Sequence, residues 1–376
     1  MKTKSFLLLL VALNSVIVYA QELSLVREDG KFGYIDKTGK YAIQPSFEEA
    51  KTFSNGLAAA VQDKKWGYIK PSGEWAIEPK YEKVKYFDSG YAMVAENGEW
   101  KYIDKTGKVL EVPSAEKYYD FEDGVALYRQ GDKIGLIGTN GKVILEPTYD
   151  AIKKFRNGHA KVQKGDLWGM IDNKGKVVIP VEYEEIGNEY HPNGVEGMKG
   201  GSYGIITNGT FNTIEGADKV WGFYENSNLT YARKDKKIGF VNSSGKWVIE
   251  PKYDKARAFV KGLAPVAEGK NWGYINEKGE MVIEPKYRDA EVFTEDGLAP
   301  VKEKMWGFIN TTGKEVIPLE YDITAGFAFL AGNDSKGFID GLARVKTKKG
   351  WGFLDKNGKL LADKWFQNAE PFASVK

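Results

Sequence analysis

The stretch KKWGYIKPSGEWAIEPKY at residues 64–81 returns, little changed, as KNWGYINEKGEMVIEPKY at residues 270–287. A chain that rewrites the same text can fold only into something built from like units. The aromatic-Gly step is the ruler. Its glycine stands at Gly33, Gly67, Gly135 and Gly169, with Lys101 in the third place, and the spacing is 34 residues each time. The beat slips at Gly204 and Gly239, resumes at Gly273 and Gly307, and ends with Gly352 after an interval of 45 residues. Pro45, Pro79, Pro113 and Pro147 keep the same period, as do Gly56, Gly90, Gly124 and Gly158. Charged positions between these marks drift. Fixed positions are small, aromatic or turn-forming, which is how a packing unit behaves.

One unit, residues 262–287, reads as three short strands. Leu263 to Val266 is an apolar run, Trp272 to Ile275 a second and Met281 to Ile283 a third. Between the last two, Asn276 to Gly279 has the composition of a tight turn. Pro285 is expected to end the third strand by withholding a donor. Tyr287, Ala290 and Phe293 follow at helix-like offsets, which predicts a short helical turn as connector. A three-stranded piece of this length exposes an apolar face that only a neighbouring unit can cover. The unit Trp and Tyr are expected to form the bulk of the resulting core.

The motifs KWGYI, DKTGK, VIEPKYD and GLAPV resemble the WG repeats, a family of short β-rich repeats common in bacterial proteins. The likeness runs from Leu23 to Lys376. Ile134 and Ile238 where Trp is usual, and Phe32 in the first copy, depart from it. The resemblance implies a repeat architecture and carries over no catalytic residues.

The expected fold class is all-β: tandem three-stranded units of about 34 residues stacked into an open superhelix or solenoid-like array. A closed propeller-like ring is the alternative, disfavoured because blades usually need four strands and about forty residues. LSLV at residues 23–26 and FASV at 372–375 both match the first-strand slot, so the last could cap the array or pair with the first unit.

Residues 1–20 read as an export signal: Lys2 and Lys4, an apolar run, then Val18 and Ala20 before a cut at Gln21. Regular repeats occupy 21–186, degenerate ones 187–237, and further repeats 238–376 with an insertion near 322–340. There are 54 basic and 52 acidic residues, and loss of Lys2 and Lys4 leaves 52 of each. That balance argues against nucleic acid as partner. No later segment is apolar enough to span a bilayer. With no cysteine the chain has neither disulfides nor a lipidated cysteine, so a periplasmic or secreted protein is expected, not a cysteine-anchored lipoprotein.

Candidate residues cluster where the beat breaks: His191, Glu196, Glu215, Asp218 and Trp221. Trp75, Trp247 and Trp365 lie off the main slot and are candidates for an exposed face. The sequence contains two histidines, His159 and His191, and no motif for a nucleophile, metal or cofactor. The turn residues Asp36, Asp104, Asp172, Asn276, Asn310 and Asp355 invite a calcium reading, which an Asx-turn role makes unnecessary. The functional expectation is a non-catalytic binding or scaffold module for an envelope or extracellular protein. The alternative is a glycan- or cell-wall-binding array that stacks exposed aromatics on sugars; a hydrolytic enzyme is a third reading with no specific residues behind it.

Overall fold

The connector between repeats decides the architecture. In the computed structural model, which describes residues 21–224, 226–322 and 337–376, it contains a strand in place of the expected helical turn. Lys255–Ala256 pair antiparallel with Ala267 and Val266 of the strand that follows. Strand a (Lys255–Ala256), strand b (Leu263–Glu268), strand c (Asn271–Asn276) and strand d (Met281–Tyr287) make one four-stranded sheet in the order a–b–c–d. The offsets that mimic a helix arise because Tyr287 closes one sheet while Ala290 and Phe293 open the next.

The described residues form ten sheets of three to five strands, variations on this plan. The first receives its strand a from the far end of the chain: Asn368 pairs with Arg27 and Ala369 with Val26, while Ala373 and Ser374 pair with Leu23 and Glu22. This corrects the open superhelix. The ten sheets are the blades of a closed β-propeller ring. The physical reason is the edge. An open array would leave the first blade's strand b (Glu22–Glu28) with an unpaired ladder. Four strands fit into about 34 residues because strand a is two residues long in most blades, Lys117–Glu122 of blade 4 being longer, and the a–b turns are minimal. Ser89 and Gly90, for example, have φ of 51° and 88°, the positive pair that a two-residue type I′ turn demands.

Ten small apolar clusters hold the ring. Most are made of side chains from two successive blades, and one seals blade 10 against blade 1 through Phe353, Phe366, Val26, Ile35 and Ala369. The core aromatic is the Tyr of WGYI, not the Trp. Tyr34, Tyr68 and Tyr274 are at most 1% exposed. Each hydroxyl donates to a carbonyl of the next blade's strand a region: Tyr34 to Lys51 O (2.7 Å), Tyr68 to Lys85 O (2.7 Å), Tyr274 to Glu291 O (2.8 Å). Among the Trp at the repeat slot, Trp272 is buried, Trp66, Trp168, Trp306 and Trp351 are half-buried, and Trp100 is exposed.

The Gly after Trp and the Pro of strand d are one device. Strand d does not stop at Pro285. It bulges there, so that Trp272 faces Tyr287 while Tyr274 faces Ile283. The bulge presses backbone onto Gly273, where a Cβ would lie 2.3 Å from Ile283 O. Lys101 is tolerated in blade 3 because that sheet has three strands and no strand d; after the turn at Asp104 the chain makes one bridge to strand c, Val109 opposite Ile103, with Leu110 N–H donating to Tyr102 O.

The turn Asp and Asn act within their own loops. Asp36 Oδ1 accepts from Thr38 N (2.8 Å) and Lys40 N (3.1 Å), and Asn276 Oδ1 accepts likewise from Lys278 and Glu280 (both 3.0 Å). Residues 1–20 and most of the insertion near 322–340 lie outside the described residues.

Candidate binding groove

Strand a is the inner strand: Glu370, Lys51 and Tyr86, from the strand a regions of three consecutive blades, line one cavity. The residue after its buried member is a cation in four blades, namely Lys51, Lys85, Lys153 and Arg257. Blades 6 and 7 carry Gly187 and Trp221 there instead. Glu196, on strand b of blade 6 (Val195–Lys199), uses the freed space. A Cβ on Gly187 would lie 2.4 Å from its Oε2, and one on Gly222 3.0 Å. Burial pushes the Glu196 carboxyl up to about 7, with its own backbone N–H and Lys161 opposing and Glu189 reinforcing.

Beside it a groove of ≈ 440 Å³ spans blades 7, 8 and 9. Trp221 and Tyr231, a cross-strand pair on one sheet face, stack at 4.8 Å with planes 20° apart. Trp221 N–H donates to Tyr231 O (3.1 Å), and buried Thr230 donates from Oγ1 to Trp221 O (2.7 Å), which fixes the ring's backbone. Arg257 lies over the Trp272 ring at 4.7 Å and is tied to Asp289 (3.1 Å) and Glu291 (3.2 Å). Lys255 and Arg288, also lining the groove, are exposed and form no ion pair among the described residues. Lys219 approaches Trp221 to 4.9 Å.

The residues singled out in the sequence fall in several places. Trp221 lines the groove and Glu196 adjoins it through Gly222. His191 stacks on Phe223 (5.3 Å) and accepts from Asn193 N–H (3.0 Å), bracing the loop before strand b of blade 6. Asp218 pairs with Arg233 (2.6 Å) at an exposed position, and Glu215 offers its carbonyl to Trp247 Nε1 (3.1 Å). Trp75 and Trp247 are half-buried outer-strand residues, and Trp365, also half-buried, stands just before the bridge of Phe366 to Trp351. Trp75 meets Phe47 of the preceding blade edge-on at 5.9 Å, Trp247 packs on the cluster holding Ile214, and Trp365 on that holding Phe308. Tyr231, Lys255, Arg257, Trp272 and Arg288 did not stand out. A column of equivalent strand b residues would have found Tyr231: it reads Ala59, Met93, Leu127, Lys161, Glu196, Tyr231, Pro265, Pro300, Arg344, far more varied than the core columns beside it.

A second cavity of ≈ 790 Å³ lies at the ring closure, lined by Lys51, Phe53, Tyr86, Glu370 and Phe372 among others. No group of three or more His, Cys, Asp or Glu side chains among the described residues is placed to hold a metal ion. No helix among them is long and apolar enough to cross a membrane.

No curated protein matches the chain significantly. Solved structures similar to it include a eukaryotic initiation factor (11% identity, 94% of this chain and 97% of that one, TM-score 0.46). Others are PorZ, a surface component of the type-IX secretion system of Porphyromonas gingivalis (10%, 90% and 57%, TM-score 0.25), and the dihydro-heme d1 dehydrogenase NirN (12%, 80% and 73%, TM-score 0.33). Likenesses this distant carry no functional argument. The family described as "WG containing repeat" matches residues 32–66, 66–100, 134–168, 168–192, 238–272, 272–304, 306–328 and 351–374. These windows run largely from one Trp slot to the next and cover more than half of the sequence, so the chain belongs to the WG-containing repeat family.

Proposed function

We propose that the ring is a non-catalytic binding module that takes saccharide chains in the groove between blades 7 and 9, and that it works outside the cytoplasm after export on residues 1–20. The observation that carries this reading is the Trp221–Tyr231 stack, a half-exposed aromatic surface held rigid by strand pairing and set beside charged and polar groups. Aromatic faces bind the apolar faces of sugar rings, and convergent polar groups orient them. A sugar would displace Lys219 from Trp221, at a cost of about 0.5–1 kcal/mol for an exposed cation–π contact. Binding is favoured over hydrolysis because the one carboxylate lining the groove, Asp289, is engaged by Arg257.

The test is calorimetric titration of residues 21–376 with cell-wall and capsular polysaccharide fragments, beside Trp221→Ala and Tyr231→Ala. Either variant is expected to weaken binding about tenfold, equivalent to about 1.4 kcal/mol, with little change in melting temperature. Binding to a protein of the envelope and to no saccharide would sink this reading and favour a scaffold.

A further inference from the structure

The charge of the groove narrows the ligand. Of its charged lining residues, Asp289 is the one acid, against Lys255, Arg257 and Arg288. Arg257 is neutralised by Asp289 and by Glu291 just beyond the groove. Lys255 at the start of strand a in blade 8 and Arg288 just before strand a of blade 9 remain, both exposed and without an acidic partner among the described residues. They stand on consecutive blades, both lining the same groove as the stacked aromatic pair. What sets the two apart is their place beside the aromatic pair, since exposed cations of other blades either stand on the open surface or are paired. Lys133, Lys199 and Lys237 each hold a carboxylate, Asp150, Glu182 and Asp254, at 2.5–2.8 Å. Two free cations beside an aromatic platform, on a chain with balanced charge, mark a place where negative charge is to be received.

We propose that the ligand of this groove is an anionic saccharide, whose sugar ring packs on Trp221 and Tyr231 while its carboxylates lie against Lys255 and Arg288. The proposal rests on the saccharide reading above and adds the charge of the ligand. Arg288 suits a planar carboxylate through its paired donors, and Lys255 serves as a movable point charge. Both cations are solvent-exposed, so their attraction is screened by salt, whereas stacking is not.

The experiment compares acids with their neutralised counterparts: oligogalacturonate against its methyl ester, and hyaluronan fragments against the carboxyl-reduced form. Titrations are run at low and at high salt with residues 21–376 and with the variant carrying Lys255→Gln and Arg288→Gln. The expected result is at least one acidic oligomer bound about tenfold more tightly than its neutral form at low salt. That preference shrinks at high salt and is lost in the double variant, which still binds the neutral form. Equal affinity for the acidic and neutral forms in the unaltered protein overturns this proposal and leaves the saccharide reading standing. A preference that survives in the double variant also overturns it. Binding of none of the four overturns both.

Discussion

Replacing Glu196 by Gln isolates the energetic consequence of a carboxyl packed between two glycines. In the folded ring burial holds this group up at about 7, against an ordinary 4.5. The folded state therefore keeps the proton more tightly than the unfolded chain does. The stability linked to this site is fully present below pH 4.5 and is lost as pH rises through about 7. At 1.36 kcal/mol per pH unit the gap corresponds to about 3 kcal/mol, an upper figure because the residue keeps some surface. Gln preserves shape and hydrogen-bonding capacity without titrating. Urea unfolding of both proteins at pH 4, 5.5, 7 and 8 reads the difference, in which all other titrating groups cancel. The two proteins should be nearly equal at pH 4, and the Gln variant should be more stable by up to about 3 kcal/mol at pH 8. Parallel pH profiles, or a variant destabilised most at pH 8, would refute the reasoning and mean that Lys161 pairs with an ionised Glu196.

Other consequences follow from the packing. Gly273→Ala sets a methyl against Ile283 O, a backbone atom that cannot move without breaking the bulge, and should cost more than about 3 kcal/mol in urea unfolding. Lys101→Ala, in the blade without strand d, should cost under about 1 kcal/mol in the same assay. Tyr274→Phe removes the hydroxyl's bond to Glu291 O and should cost about 1 kcal/mol. Deleting residues 368–376 removes strand a of blade 1, and the amides of strand b there should lose hydrogen-exchange protection while those of blade 5 keep theirs.

The sequence made much of this legible, because a repeat displays its own substitutions. Strands b, c and d, their turns and the beat followed from which positions stayed fixed. Strand a did not. At two residues in most blades it leaves no periodicity, and Tyr287, Ala290 and Phe293 mimic a helix because the first ends one blade and the others begin the next. Ring closure depends on Ala369 meeting Val26, a pairing between distant parts of the chain that no local pattern encodes. Trp and Tyr alike read as core residues because both are large and recurrent. The structure buries Tyr274 more deeply than Trp272 and ties its hydroxyl to Glu291 O on the next blade, while Phe240 and Phe308 fill the same place with no hydroxyl. Glu196 and Trp221 stood out because they break the repeat. Tyr231 and Arg288 sit in columns where any residue is tolerated, so nothing in one copy marks them.

Ring closure is the claim on which the rest stands, and the absence of native cysteine makes it directly testable. Cysteines placed together at Arg27 and Asn368, paired neighbours across the closing strands, should form an intramolecular disulfide under mild oxidation. The cross-linked monomer should run differently on a non-reducing gel, and neither single variant should show the shift. In an open array these positions lie at opposite ends, and the double variant would remain a free dithiol or join only between molecules.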